Sequence, residues 1–558
     1  MLDFLWRRQA SPSQPVAATL QTVSFWGCVC LVSNNILGPG TFSLPGLFQE
    51  AGWVLALVFC LCAALWSSQS SVLLAAAISE GVEGNKDFSK NIELSSLASL
   101  LLPPWGALLV LLVVVLNLFS QTVQLILVLT QACDEALLQV FGRTCALNLS
   151  KGSYDCVALT ADREVATSLY GDSFVVSSGF VSIMAVCLPL SLISLNENIM
   201  AQVVAFLVII LQFLVWTLNF FTMGLNPSLM PAFGAKFAPL IPQAFYSFNF
   251  LATVTATLAT KRPDVNGPRA ILTGVSFALG QTLLVSVFGG LAVAMEGGSN
   301  TSLSNVLAQA PPPGVWRASS HFSFVFPFAN ILTAIPVFCI FMQRNLEEFF
   351  GAGVRTKRVA LAIAVACPWL VALAFYPLPS FSSVINWTSA FTVVPMNLTV
   401  PLALYLVYVA RRKAGLPPAC HPTGLPGATP GSEGGLLAEA LTFVQSPLST
   451  VASGSGKVAE WEAGKAHPAG AGESASNPQA AIAVAEGGSK NENEGGREKE
   501  GLHCACRACG VAELAYARAL FAASLMLSLV AFALQCSQAA EDASQGPPPS
   551  TNSTALRD

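Results

Sequence analysis

The chain has little charge for its length. Only 10% of its 558 residues are Asp, Glu, Lys or Arg, below the roughly 25% of a typical soluble domain, while 53% are hydrophobic. Apolar stretches of the roughly 20 residues needed to cross a bilayer recur throughout the chain. This composition excludes a large soluble enzyme and predicts an integral membrane protein surrounded by lipid.

Eleven apolar stretches are candidate spans, which predicts an all-α, multi-pass membrane fold with 11 transmembrane helices. They cover residues 22–48, 53–79, 105–131, 174–195, 199–221, 239–260, 270–294, 322–343, 359–377, 384–409 and 512–535. Residues 1–21 lack the apolar core of a cleavable signal peptide, so we expect the first span to act as its own membrane signal.

Basic residues are unevenly distributed between the two sides that these spans define. With a cytoplasmic N-terminus, 21 of the 27 Lys and Arg residues fall on the inner side, as the positive-inside rule requires. The predicted segments are a cytoplasmic tail (1–21), ten spans (22–410), a cytoplasmic loop (411–510), an eleventh span (511–536) and an external or lumenal tail (537–558). The loop is rich in Gly, Ala, Ser, Pro and Glu, which predicts disorder.

The outer segments contain two kinds of modification signal. The Asn-x-Ser/Thr pattern occurs in or beside them at four positions, where we expect glycosylation: Asn148, Asn300, Asn386 and Asn552. Cys145 and Cys156 share one outer loop, where an oxidising compartment favours a disulfide, and Cys133 is the alternative partner.

Ionisable side chains are almost absent from the first ten spans. Because such residues inside a membrane usually mark proton relays and ion paths, a relay of carboxylates or imidazoles is disfavoured. The 4 His and 15 Cys residues include no pair at metal-ligand spacing within the spans. We therefore predict no enzyme activity, no catalytic residue and no metal site.

Glycine and proline, by contrast, interrupt the first span. Residues 34–53 read NNILGPGTFSLPGLFQEAGW, with Gly38, Pro39 and Gly40 in succession. Irregular backbone at membrane depth is tolerated only where protein or a water-filled cavity covers it, so this tract predicts a broken helix beside a cavity. The free carbonyls of the inner half attract a cation, and the free N–H groups of the outer half, which Thr41 can cap, attract an anion.

The polar residues that remain in the spans are neutral and grouped. They are concentrated in spans one, three, six and eight and include Asn34, Asn35, Asn117, Asn249, Thr253, Asn330 and Thr333. Each one alone is more typical of a hydrogen bond between helices. Their grouping favours a shared binding site.

The first-span tract resembles the signature of the amino acid/auxin permease (AAAP) family of the APC superfamily. The matching residues are Asn35, Gly38-Pro39-Gly40, Ser43-Leu44-Pro45, Phe48 and Ala51-Gly52-Trp53. Three further segments are similar to that family's turn into span five, its sixth span and its eighth span: LPLSLISLNENI (188–199), SFNFLATVTATLATKRPDVNGPRAIL (247–272) and ILTAIPVFCIFMQRNLEEFF (331–350). Span six has no Gly or Pro in its middle, so unwinding there cannot be read from the sequence.

The resemblance implies a LeuT-like, five-plus-five inverted-repeat transporter fold with a broken first helix, and amino acids as substrates. It also implies substrate contacts along residues 35–41 and on the facing part of span six. Combined with the other polar residues, it gives a predicted substrate set of Asn35, Gly38, Gly40, Thr41, Asn117, Asn249 and Thr253, and a predicted cation set of Asn34, Asn330 and Thr333.

We therefore predict secondary active transport of neutral or small amino acids by alternating access, with spans one and six moving against spans three and eight. The missing carboxylates favour sodium coupling or uncoupled exchange over proton coupling, so Na⁺ is the candidate coupling ion and no other cofactor is expected. The alternative is a non-transporting amino acid sensor that uses the same cavity and signals through residues 411–510.

The sequence fits either a plasma membrane or a vacuolar or endolysosomal membrane. We expect no nucleic-acid partner, and no particular protein partner is indicated.

Overall fold

The computed structural model describes residues 22–38, 40–158, 169–170, 174–192, 195–295, 303–309, 323–351, 353–376, 389–419 and 516–524, with positions 526, 530 and 533. Within these residues, seven helices are long and apolar enough to cross a membrane. The chain is therefore a helical integral membrane protein, and the count of 11 spans stays a prediction. Both tails and loop residues 420–510, on which the sensor hypothesis depends, lie outside the described residues.

The observed helices follow the predicted spans. In chain order they are α1 (Phe25–Ile36), α2 (Gly40–Ala51), α3 (Trp53–Gly81), α4 (Leu94–Leu101), α5 (Pro104–Phe141), α6 (Ser178–Ser191), α7 (Leu195–Met223), α8 (Leu240–Ser247), α9 (Leu251–Thr260), α10 (Gly267–Ala292), α11 (Leu303–Gln309), α12 (Pro327–Phe350), α13 (Val354–Phe375) and α14 (Phe391–Lys413). Residues 516–524 of the predicted eleventh span are also helical. Spans one and six are each divided into two helices.

The outer faces of the long helices are apolar. Leu65 of α3, Leu109 of α5, Leu207 of α7 and Leu370 of α13 are exposed rather than packed against other helices. An apolar surface of this extent is unfavourable in water and suits contact with lipid.

Both halves of the first span are anchored to α10. Val32 of α1 packs directly over Gly274, where a Cβ atom would lie 2.9 Å from the valine side chain. Ser33 donates its hydroxyl to the carbonyl oxygen of Gly274 at 2.9 Å. On α2, Nε2 of Gln49 donates to the carbonyl oxygens of Gly290 and Val293, each at 2.7 Å. The two halves are therefore held separately, and the segment between them can leave helical geometry.

A small sheet corrects the all-α expectation. Strands β1 (Arg143–Asn148), β2 (Ser153–Ala158) and β3 (Val175–Ser177) form an antiparallel sheet in the order β2-β1-β3. The predicted external loop between α5 and α6 is long enough to fold back on itself and pair its backbone groups as strands. Cys145 and Cys156 lie directly opposite each other in β1 and β2 and form a disulfide.

Asp134 of α5 ties this sheet to the helices. Its Oδ1 accepts from the hydroxyl of Thr144 at 3.0 Å and from the backbone N–H of Gly179 at 2.8 Å. Its Oδ2 accepts from the hydroxyl of Tyr376 at 2.7 Å. A buried carboxylate with three donors is well satisfied, so this residue holds β1, α6 and the end of α13 together.

Candidate functional site

The first span is interrupted where the sequence predicts it. Helix α1 ends at Ile36, and α2 begins at Gly40. The N–H of Gly38 closes a three-residue turn on the carbonyl oxygen of Ile36 at 2.7 Å, and the N–H of Thr41 donates to the carbonyl oxygen of Gly38 at 3.1 Å. The carbonyl end of α1 and the N–H end of α2 therefore meet at one place, with partial charges of opposite sign.

A second interruption divides the sixth span, and the sequence did not indicate it. Helix α8 ends at Ser247 and α9 begins at Leu251, although the segment between them, Phe248-Asn249-Phe250, contains neither Gly nor Pro. Side chains replace the missing helical hydrogen bonds. Nδ2 of Asn397 donates to the carbonyl oxygen of Phe248 at 3.3 Å. The hydroxyl of Thr253 donates to the carbonyl oxygen of Phe250 at 2.7 Å.

The two breaks are in direct contact. A Cβ atom on Gly40 would lie 2.8 Å from both Cδ1 of Tyr246 and Oγ of Ser247, at the end of α8. Glycine is therefore required where the start of α2 crosses α8. At Gly38 the nearest described atom to an added Cβ is the carbonyl oxygen of Ile36, 3.9 Å away, so this residue borders open space.

That space is a cavity of about 30 Å³, enough for a water-sized solute in the described conformation. It is lined by Asn34, Asn35, Ile36, Gly38, Gly40, Gln121, Leu125, Tyr246, Ser247, Asn249, Asn330, Ala334 and Phe338. All these residues are uncharged. The cavity therefore offers amide, hydroxyl and backbone groups together with a small apolar wall.

Several polar atoms around this cavity are buried without a hydrogen bond to any described group. They are Oδ1 and Nδ2 of Asn34, Oδ1 of Asn35, Oδ1 of Asn249, Nδ2 of Asn117 and Oγ1 of Thr41. Asn34 and Asn249 are only 2% and 6% exposed, so water outside the protein does not reach them. Because buried polar groups are normally paired, this concentration indicates a site for a polar ligand.

Asn117 of α5 organises one side of the site from behind the cavity wall. Its Oδ1 accepts from Nε2 of Gln121 at 3.1 Å, from Nδ2 of Asn249 at 3.3 Å and from the hydroxyl of Thr392 at 3.4 Å. This arrangement fixes the amide of Asn249, so its unpaired Oδ1 keeps one orientation.

Asn330 of α12 contacts the other break. It lies in the π-helical turn Pro327–Ile331 and donates Nδ2 to the carbonyl oxygens of Leu37 and, at 3.4 Å, of Asn34. Thr333 donates its hydroxyl to carbonyl oxygens of its own helix, Ala329 at 3.1 Å and Asn330 at 2.9 Å. The C-terminal carbonyls of α1 are thus capped by an amide.

The predicted site residues are partly brought together. Asn34, Asn35, Gly38, Gly40, Asn249 and Asn330 line the cavity. Thr41, Asn117, Thr253 and Thr333 do not line it. Gln121, Tyr246 and Ser247 also line the cavity and are not among the predicted site residues. Gln121 lies one helical turn from Asn117, and Ser247 lies two positions from Asn249. Both are neutral polar residues close to a predicted asparagine, so the sequence could have indicated them, whereas nothing in the sequence marks Tyr246.

An aromatic cluster adjoins the break on the α2 side. The ring of Phe42 lies 4.1 Å from that of Phe326 and 5.3 Å from that of Trp216, measured between centroids. Phe213 stacks on Phe326 at 6.2 Å. Since Phe42 follows Gly40 by two residues, this cluster packs around the start of α2.

A buried carboxyl group joins three elements near the C-terminal end of the sixth span. Glu93, which precedes α4, is fully buried, and its Oε2 accepts from the hydroxyl of Thr255 on α9 at 3.1 Å. Arg344 of α12 lies 4.0 Å from its Oε1. Burial raises the pKa of Glu93 by more than Arg344 and the hydrogen bond from Thr255 lower it.

The predicted glycosylation sites have different placements. Asn148 is buried in β1, where its Nδ2 donates to Oδ2 of Asp155 at 2.9 Å and its Oδ1 accepts from the backbone of Ser150 and Lys151. Asn300, Asn386 and Asn552 lie outside the described residues. Glycosylation stays a prediction at all four.

Comparisons with known proteins leave the family open. No family model and no curated protein matches the chain. Among solved structures it is similar to Mhp1, a nucleobase-cation-symport-1 family transporter, in a closed conformation with bromovinylhydantoin bound, at 14% identity over 71% of this chain and 84% of that one, with a TM-score of 0.44. The inward-facing conformation of Mhp1 gives 15% identity, 70% and 78% coverage and a TM-score of 0.44. Scores of this size do not establish a common fold or substrate, so membership of the amino acid/auxin permease family stays a prediction.

Proposed function

We propose that the chain is a secondary active transporter of small neutral amino acids that works by alternating access. One observation carries this proposal: two broken helices meet at a single cavity, and it is lined by asparagines with buried amide atoms that make no hydrogen bond to a described group. Discontinuous helices of this kind bind substrates and ions at the centre of secondary transporters.

The contacts at the two breaks support a five-plus-five inverted repeat. The breaks lie in predicted spans one and six, the first members of two groups of five. Asn330 of span eight contacts the first break, and Asn117 of span three contacts the second. Spans three and eight are the third members of the two groups of five. The pseudo-two-fold axis of an inverted repeat would therefore relate the contact between spans one and eight to the contact between spans six and three.

The chemistry of the cavity supports a small zwitterion as substrate. The N-terminal end of α2 presents N–H groups and positive partial charge for a carboxylate. The unpaired Oδ1 atoms of Asn35 and Asn249 can accept hydrogen bonds from an ammonium group. Contact of Gly40 with α8 leaves space only for a small side chain, which Phe338 and Leu125 would border.

Uptake into proteoliposomes tests the proposal. We expect saturable uptake of small neutral amino acids and no competition from analogues in which the carboxylate or the amine is blocked. Asn249→Ala removes an acceptor and should lower the apparent affinity, whereas Asn226→Ala, at an exposed cap of the short helix Pro227–Leu229, should not. Absence of saturable uptake across the amino acid panel, or equal uptake of the blocked analogues, would contradict the proposal.

A further inference from the structure

The C-terminal carbonyls of α1 are the place where a coupling cation is expected. At a broken helix these oxygens lack intrahelical donors and carry negative partial charge, so they attract either a cation or a hydrogen-bond donor. In this chain a donor is already present. Nδ2 of Asn330 points at the carbonyl oxygens of both Leu37 and Asn34.

We propose that the amide of Asn330 takes the place of a coupling cation at the first break, and that substrate transport is independent of sodium. This inference rests on the proposed transport function. It replaces the predicted sodium coupling and favours exchange of one substrate for another as the driving process.

The surroundings of Asn330 are consistent with a permanent structural donor. Its side chain is only 2% exposed, and it belongs to a π-helical turn, a local widening that is frequent at functional sites. The neighbouring Thr333 donates its hydroxyl to two carbonyls of its own helix, so it does not compete with Asn330 for the carbonyls of α1. Asn330 and Thr333 of the predicted cation set therefore both act as donors, whereas the side chain of Asn34 makes no hydrogen bond to a described group.

The consequence for coupling follows from linkage. A solute gradient can drive transport only if the solute binds one conformation more tightly than the other and can leave on the opposite side. An amide that is covalently part of α12 satisfies the carbonyls without leaving. Like a cation, it offsets the negative partial charge of the carbonyl oxygens, but it transfers no energy from an ion gradient.

The decisive variant replaces the hydrogen-bond donor of this side chain with a negatively charged acceptor. Asn330→Asp places a carboxylate against two carbonyl oxygens, and their repulsion favours binding of a cation between them. Asn345→Asp is the matched control, because Asn345 is also 2% exposed, lies on the same helix and donates its amide to a carbonyl oxygen, that of Phe341 at 2.9 Å. It lies 15 residues further along, or about 22 Å at the helical rise per residue.

Two measurements are made on the purified full-length chain. The first is thermal unfolding in a titration of sodium chloride against choline chloride at constant ionic strength. The second is amino acid uptake into proteoliposomes in the same two salts. For the unmodified chain we expect no saturable sodium-specific stabilisation and a change in apparent substrate affinity below about fivefold, the lower bound of typical coupling. Asn330→Asp should gain both effects, and Asn345→Asp should gain neither.

A saturable, sodium-specific stabilisation of the unmodified chain would overturn the inference, as would sodium-dependent uptake that Asn330→Asp leaves unchanged. If Asn330→Asp does not fold, the sodium titration of the unmodified chain still decides. Absence of uptake in every variant would count against the transport function alone, because the unfolding titration reports cation binding without it.

Discussion

Nδ2 of Asn249 lies 3.3 Å from Oδ1 of Asn117, and this contact joins the break in the sixth span to the centre of α5. The same oxygen accepts from Gln121 and from Thr392, at the start of α14. One fully buried oxygen atom therefore positions groups from three separate parts of the chain around the cavity. Networks of this kind are costly to break, because each remaining donor is left unpaired.

We expect Asn117→Ala to weaken both folding and substrate binding. Leaving the amides of Asn249 and Gln121 without their acceptor should lower the free energy of unfolding by about 1–3 kcal/mol. A loss of the same size in substrate binding corresponds to a fall in affinity of about 5- to 150-fold. Ser120→Ala is the control, since that hydroxyl donates only to a carbonyl of its own helix, at 3.0 Å. Equal effects of the two substitutions on uptake would contradict the positioning role of Asn117.

The two glycines of the first break should respond differently to alanine. At Gly40 the new methyl group meets Tyr246 and Ser247 at 2.8 Å, and overpacking of this kind costs about 1–3 kcal/mol. We expect Gly40→Ala to lower the unfolding temperature and abolish uptake.

Gly38→Ala is the companion test, because its methyl group meets the nearest described atom at 3.9 Å and enters the cavity instead. The free energy of unfolding should change by no more than about 0.5 kcal/mol, as for a substitution without a clash. The apparent Michaelis constant for uptake should nevertheless rise, because the methyl group takes substrate space. Normal uptake by Gly40→Ala would show that the breaks need not touch.

The difference between the two breaks explains what the sequence could reveal. Gly38 and Gly40 are local signals, because their effect on the backbone does not depend on the rest of the fold. The break at Phe248-Asn249-Phe250 depends on Asn397, 149 positions from the carbonyl it contacts, and on Asn117, 132 positions from Asn249. Tertiary contacts replace the helical hydrogen bonds there, and a single sequence does not show which residues will meet.

The predicted asparagines and the predicted threonines differ in whether they line the cavity. An asparagine amide in an apolar span must find hydrogen-bond partners, which favours a place in a polar site. Four of the predicted asparagines, Asn34, Asn35, Asn249 and Asn330, do line the cavity. Thr253 and Thr333 carry the same signal, yet their hydroxyls bond to nearby carbonyls of their own segments. A hydroxyl in an apolar helix can always find such a carbonyl, whereas an amide has more groups to satisfy.

Reduction of the disulfide between β1 and β2 should destabilise the chain. The disulfide between Cys145 and Cys156 spans 11 positions, and bonds that close loops of this length contribute about 2–4 kcal/mol. We expect Cys145→Ser to lower the unfolding temperature and to remove its sensitivity to a thiol reductant. Cys133→Ala should retain that sensitivity, because Cys133 is a free, buried thiol. Peptide mapping under non-reducing conditions would contradict this assignment if it recovered Cys133 linked to either partner.

The buried carboxyl group of Glu93 makes a pH-dependent prediction. Its pKa is raised above the ordinary value of 4.5, with burial as the main cause. In the window above 4.5 the folded chain therefore holds a proton that the unfolded chain has released, and stability falls as pH rises until the folded group also ionises. A tenfold difference in proton affinity between the folded and unfolded chains corresponds to about 1.4 kcal/mol of stability.

Glu93→Gln should remove this loss, so its unfolding temperature should exceed that of the unmodified chain at about pH 8 and approach it near pH 4. Glu347→Gln is the control, because that side chain accepts from Gln343 at the C-terminal end of α12 and makes no hydrogen bond with α9 among the described contacts. A parallel pH dependence in Glu93→Gln and the unmodified chain would show that Glu93 is ionised in both states, and that the contact with Thr255 holds a carboxylate rather than a carboxylic acid.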